Sequence, residues 1–182
     1  VRSRRQRQMC IRDRYMKNYQ EWYDHIASKI ENKPIFLRLL RTFNRFMTVV
    51  MPMIYLTLLA TTYLQEGLGK QVLIYVFIPA SGFVILSFLR KKINAPRPYE
   101  EWDIKPLLDR DSPGQSMPSR HVFSATIISM ACMHASLPIG MICLTLSAFL
   151  GLVRVLGGVH YPKDVVVGYI CALVWGVIFF LC

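Results

Sequence analysis

Residues 139–156, IGMICLTLSAFLGLVRVL, and 164–182, DVVVGYICALVWGVIFFLC, are two apolar runs joined by the short stretch GGVHYPK. Each is close to the ~20 residues that cross a bilayer's hydrocarbon core. The pair therefore predicts two membrane helices meeting at one bilayer face. The join itself is out of character. Across 154–164, RVLGGVHYPKD, an arginine, a histidine and an aspartate follow one another at offsets of six and four. Such charges are either caps on two helices or parts of a site that handles an anion.

Three further apolar runs lie upstream: 46–64 (FMTVVMPMIYLTLLATTYL), 72–89 (VLIYVFIPASGFVILSFL) and 121–137 (HVFSATIISMACMHASL). Together the five predict an all-α, polytopic membrane bundle of about five transmembrane helices, with 46–182 as its one domain. Pro52 and Pro79 fall inside the first two runs, which membrane helices tolerate because neighbours satisfy the freed backbone groups. The run at 121–137 is the least apolar and rich in small residues, so it belongs at the bundle's centre. The last run ends at FFLC with no polar tail, which reads as a truncated C-terminus.

Ahead of the spans, 16–45 is expected to be an amphipathic segment at the membrane surface. In 35–47, IFLRLLRTFNRFM, arginines 38, 41 and 45 alternate with apolar residues. Residues 1–15, VRSRRQRQMCIRDRY, are polar and aperiodic; they read as non-native leader sequence and stand outside the fold. No apolar core follows their arginines, so they are not a signal peptide. The five cysteines show no CxxC spacing and read as small membrane-helix residues rather than disulfides or metal ligands.

The net charge is +11, and its placement is informative. Helices that cross in alternation bring four termini to one face: the end of the 72–89 run, the start of 121–137, the end of 139–156 and the start of 164–182. Those termini and the long polar connection 90–118 carry Arg90, Lys91, Lys92 and Arg97; Ser119, Arg120 and His121; Arg154; His160 and Asp164. The other face has little more than Glu66, Lys70 and the turn LPIG. Several guanidiniums, two imidazoles and one carboxylate suit a phosphate group, because arginine offers paired donors at any working pH. Pro118 and Pro162 read as first-turn prolines, which would set Ser119–His121 and Lys163–Asp164 in helix N-terminal turns that favour anions. Two lone histidines fall short of a metal site, and there is no glycine-rich nucleotide loop. Metal-free phosphoryl transfer then needs a protein nucleophile and a protein acid, and histidine can serve as both. Arg154 would hold phosphate, His160 would attack, and Asp164, four residues on, would fix the ring's tautomer. His25 and His134 read as incidental.

Arg90 seven positions before Arg97-Pro98, then PSRH at 118–121, then R-x5-H-x3-D at 154–164, resembles the type-2 phosphatidic acid phosphatases, a family that shares its phosphate pocket with vanadium haloperoxidases. The likeness covers roughly 72–182. It implies phosphate binding by Arg90, Arg97, Ser119, Arg120 (through its backbone N–H) and Arg154, with His121 as general acid, His160 as nucleophile and Asp164 as its partner. Three departures stand out. Arg90 takes the place of the family's usual lysine, which leaves Lys91 and Lys92 as alternate contacts. Arg120 takes the place of a glycine and would be strained at positive φ. Val153 takes the place of a serine.

The expected activity is metal-independent, cofactor-free hydrolysis of a lipid phosphate or diphosphate, such as phosphatidate, phosphatidylglycerol phosphate or a polyprenyl diphosphate. The alternatives are a vanadate-dependent oxidant and a non-catalytic lipid-binding protein. The expected partners are the bilayer and the lipid substrate, not nucleic acid; the sequence does not fix the oligomeric state. From Met16 onward fifteen Lys/Arg flank the site face and one the other, so the positive-inside rule leans the site to the cytoplasmic side of a bacterial-type plasma membrane.

Overall fold

The computed structural model describes residues 19–182, and the residues read as a non-native leader lie outside that range. The expected fold class is borne out. The described chain is helical: α1 (19–31), α2 (Pro34–Glu66), α3 (Lys70–Ile93), α4 (Pro98–Glu101), α5 (Arg120–Ala135), α6 (Leu137–Leu156) and α7 (Pro162–Gly176), with a final 3₁₀ turn at Val177–Phe180. Four of these, α2, α3, α6 and the α7–3₁₀ unit, are long and apolar enough to cross a membrane.

The run read as a third span is the exception. Helix α5 has 16 residues and is buried along most of its length, from Val122 to Cys132 apart from Ser124. It packs against α2, α3, α6 and α7, so it is the central pillar around which the longer helices stand. Its small polar residues serve that role: Ser129 and Ser147 share a 3.0 Å hydrogen bond across the α5–α6 contact. The outer helices turn Leu64, Val84, Phe88 and Val174 outward at 66–82% exposure, the face lipid would cover.

The amphipathic segment is continuous with the first span. Residues 35–45 do not form a separate surface helix; they are the first turns of α2, which runs unbroken for 33 residues, or about 50 Å. Nothing in RTFNRFM stops a helix, since Pro and Gly are absent there. This overhang reaches past the spans and docks on the polar connection. Leu40 packs with Leu108 and Val159, and the Arg41 Nε donates to the Leu107 carbonyl at 2.9 Å. Helix α1 closes the same end, with Tyr23 packed against Ile104 and Leu107.

The cysteines at 132, 143, 171 and 182 are free thiols.

Candidate active site

Four segments distant in sequence meet at one end of the bundle. Helix α3 ends in Arg90, Lys91 and Lys92, a basic last turn that suits the negative pole of its dipole, and Asn94 closes it in the left-handed region at φ 42°. Arg90 turns inward, 6% exposed, and donates to the Pro118 carbonyl. Lys91 and Lys92 are exposed, so the inward cation of the three is Arg90.

The connection from 94 to 118 is ordered by its own charges. The Arg97 backbone N–H donates to Glu100 Oε2 at 2.7 Å, and Glu100 Oε1 accepts from the Gly114 N–H at 2.8 Å. The Arg97 side chain, 3% exposed, donates through Nε to the Ser112 carbonyl at 3.0 Å. Its Nη1 reaches Asp111 Oδ2 at 2.8 Å and the Val159 carbonyl at 3.3 Å. One guanidinium thus ties this loop to the turn that carries His160.

Helix α5 starts at the site. Ser119 is its N-cap residue and Arg120 its first helical residue, so Pro118 stands before the cap and not in the first turn. Arg120 is helical and not at positive φ, so arginine in the glycine position is unstrained, with its side chain exposed. His121 follows, half-buried. The first-turn N–H groups of α5 have no partner within the helix.

Helix α6 delivers Arg154, 2% exposed, in its last turn. The chain then reverses at Gly157–Gly158 and enters α7 through Tyr161 and Pro162, which is a first-turn proline as read from the sequence. Gly158 needs its positive φ of 73°, and a Cβ there would lie 2.3 Å from the Tyr23 hydroxyl. His160 is 1% exposed and Asp164 0%. On α7, a Cβ at Gly168 would sit 2.8 Å from the Ser119 carbonyl oxygen, so glycine lets α7 close on the start of α5. The Ser119 N–H donates to the Asp164 carbonyl at 2.9 Å across that contact.

The assembled group has an unexpected member. Asp111, which no motif or spacing singles out, points its Oδ2 at both buried guanidiniums, Arg97 and Arg154. One ligand atom each from Asp111, His121 and His160 lies within 4.8 Å of the others. These residue types can ligate a cation, and the same carboxylate oxygen is held by two guanidiniums. Burial alone would raise the Asp111 carboxyl; Arg154 and Arg97 outweigh it and hold it below the usual carboxylate range. Arg154 Nε, on the guanidinium that meets this carboxylate, and Ser119 Oγ, at the start of α5, are both buried without a hydrogen-bond partner. Buried polar groups are normally paired, and each of these donors has capacity left for an acceptor.

Burial pushes the His160 imidazolium down to about 4, against the raising effect of nearby Asp164, so the ring is neutral at physiological pH. The expected direct contact between these two is not what the structure has. His160 Nδ1 and Asp164 Oδ2 are 3.7 Å apart. Ser116 Oγ stands between them, 3.2 Å from Nδ1 and 2.5 Å from Oδ2. Ser116, like Asp111, belongs to the long polar connection 90–118, where no sequence signal marks an inward-facing residue. His25 is exposed. His134, at the other end of the bundle, hydrogen-bonds Gln71 and Tyr75.

Residues 71–182 match the family model described as PAP2 superfamily. No curated protein matches the chain in sequence. Among solved structures, the chain is similar in fold to LpxE of Aquifex aeolicus, with a TM-score of 0.67 and 22% identity over 89% of this chain and 94% of that one. It is also similar to the first transmembrane PAP2 type phosphatidylglycerolphosphate phosphatase from Bacillus subtilis, with a TM-score of 0.69 and 18% identity over 90% of this chain and 85% of that one.

Proposed function

The chain belongs to the PAP2 superfamily, and from that premise we propose that it is an integral membrane phosphatase that hydrolyses a lipid phosphate or diphosphate through a phosphohistidine. One observation carries this: Asp111 gathers the buried guanidiniums of Arg97 and Arg154 on one oxygen and stands within 4.8 Å of ligand atoms of both His121 and His160, while Arg154 Nε and Ser119 Oγ are buried with no partner. A phosphate dianion supplies the acceptors that they lack. It displaces the Asp111 carboxylate from Arg97 and Arg154, and its remaining oxygens accept from Ser119 Oγ and from the first-turn N–H of Arg120. Arg90 stands behind the cradle, holding the Pro118 carbonyl next to Ser119.

His160 attacks through Nε2, the nitrogen not turned towards Ser116. Its lone pair forms the N–P bond as the ester P–O bond breaks, and the leaving alkoxide takes a proton from His121. Burial and Arg154 push that ring down to about 4, so it takes up this proton from solvent when the phosphate dianion binds beside it. Water then attacks phosphorus, giving its proton back to His121 while the N–P bond breaks. Inorganic phosphate and neutral His160 result. No metal is needed for charge neutralisation, because the guanidiniums supply it, and a cation at Asp111 would be repelled by both.

A lipid substrate is supported by a cavity of about 170 Å³ that runs from Arg120 and His121 between apolar walls, Met47, Met51 and Pro52 of α2 and Ile128 and Leu150 of α5 and α6. A phosphate head at the histidines would leave its tail there, against the inward face of α2 formed by Met47 and Met51. The two solved neighbours include a protein described as a phosphatidylglycerolphosphate phosphatase, so that lipid is one to assay, beside phosphatidate and a polyprenyl diphosphate. The test is phosphate release from each lipid by detergent-solubilised protein in chelator. Turnover by wild type and its loss in His160→Ala are expected; strict dependence on added divalent metal would contradict the mechanism.

A further inference from the structure

We propose that Ser116 is a positioning residue for the nucleophile: it relays the Asp164 carboxylate to His160 and so fixes which ring nitrogen is free to attack. The inference rests on the phosphohistidine reading above and deepens it. The proton positions follow from counting donors and acceptors. An ionised carboxylate only accepts, and a hydroxyl has one proton to give. At 2.5 Å, two oxygens without a proton between them would repel, so the Ser116 proton lies towards Asp164 Oδ2. The hydroxyl oxygen then has only lone pairs to offer His160. At 3.2 Å it can therefore accept from Nδ1–H but cannot donate. That leaves Nδ1 protonated and Nε2 with its lone pair exposed to phosphorus.

Asp164 cannot do this directly, because its separation of 3.7 Å from Nδ1 is beyond a hydrogen bond. Its Oδ1 is buried with no partner, and its Oδ2 accepts from the Tyr161 N–H at 3.2 Å besides Ser116. Ser116 is itself locked. It is 0% exposed, and its N–H donates to the Ala95 carbonyl at 2.8 Å, which pins the loop to the end of α3. As the N–P bond forms, positive charge develops on the imidazole. Through the hydroxyl the carboxylate stabilises that charge while the proton stays on Nδ1 and no heavy atom moves.

The test compares Ser116→Ala, Ser116→Thr and His160→Ala in the full chain, using whichever of phosphatidate, phosphatidylglycerol phosphate and polyprenyl diphosphate wild type hydrolyses, with orthovanadate binding as the check on the pocket. Groups that orient a functional imidazole are typically worth 10–100-fold. Ser116→Ala should thus lower kcat by about 10–100-fold with KM and vanadate affinity within about 2-fold of wild type. Ser116→Thr, which keeps the hydroxyl, should recover most of the loss. Wild-type kcat in Ser116→Ala alongside an inactive His160→Ala would overturn the relay and leave the phosphohistidine standing. A raised KM with kcat unchanged would also overturn it, by making Ser116 a binding group. If Ser116→Ala does not fold, Ser116→Cys takes its place, a weaker donor that should fall between alanine and serine; equality with wild type again overturns the relay. A His160→Ala protein that still turns over defeats the underlying mechanism instead.

Discussion

Replacing Asp111 with asparagine should make the phosphate pocket bind anions more tightly and make the empty protein less stable. Asp111 Oδ2 lies on Arg97 and Arg154, the two guanidiniums proposed to hold phosphate. Any incoming anion must break those contacts first. Hydrogen bonds to charged groups are worth roughly 1.5–3 kcal/mol each. The Asp111 side chain keeps 24% exposure, which calls for counting one such contact and not two. At 1.4 kcal/mol per factor of ten, removing this competitor should lower the Kd of orthophosphate or vanadate by about 10- to 100-fold. The same loss leaves two nearly buried guanidiniums facing each other, so the unliganded variant should melt lower and regain more stability than wild type when vanadate is added. Because Arg154 and Arg97 hold the carboxyl below its usual range, the difference in affinity should persist through mild acid. It should close only once the pH falls below the ordinary carboxylate range. Vanadate titrations followed by thermal melting measure both effects. An Asp111→Asn protein that binds vanadate no more tightly than wild type would refute the idea that this carboxylate holds the substrate's place.

Three other outcomes follow from the same geometry. His121→Ala should cost about 10²–10⁴-fold with a lipid phosphate, the range for a general acid, and far less with an activated aryl phosphate whose leaving group needs no proton; equal losses would remove His121 from that role. The folded-state pKa of His160 is about 4 against 6.5 in the unfolded chain, so between those values the unfolded state binds more protons. Stability contributed by this site should therefore be complete above pH 6.5 and fall as the pH drops towards 4, a slope that His160→Gln should flatten in melting curves. The excess of Lys and Arg around the site end predicts that this end faces the cytoplasm. Cys182, exposed and joined through its carbonyl to Lys70 at the opposite end, should then react with an impermeant maleimide added outside intact cells carrying Cys10→Ser. Labelling only after lysis would reverse the orientation.

The parts legible in the sequence were those with a local signature. Apolar runs of spanning length gave the bundle, and the small residues of 121–137 gave its central pillar. Alternating crossings put Arg90, Arg97, His121, Arg154, His160 and Asp164 at one end before any coordinates did. Residues whose role depends on how a loop folds back were not legible. Asp111 and Ser116 sit in a Pro-rich connection where neither periodicity nor spacing tells an inward side chain from an outward one, and they reach the site through Arg97 and the backbone of Ala95. The choice among Arg90, Lys91 and Lys92 was equally open in sequence, since adjacent residues at a helix end differ only in the angle at which they leave the axis. Where the amphipathic lead-in joins the first span is not legible either: no breaker stands between 45 and 46, and α2 runs through the join. The lead-in's arginines sit at the polar end, and Arg41 uses the extra turns to clamp the loop.

The account stands most directly on whether phosphorus is ever bonded to His160. Protein given a ³²P-labelled lipid phosphate and quenched within a turnover should carry label that is stable to base and lost in acid, mapped to the peptide containing His160 and absent in His160→Ala. Label found on another residue, or undiminished in the His160 variant, would contradict it.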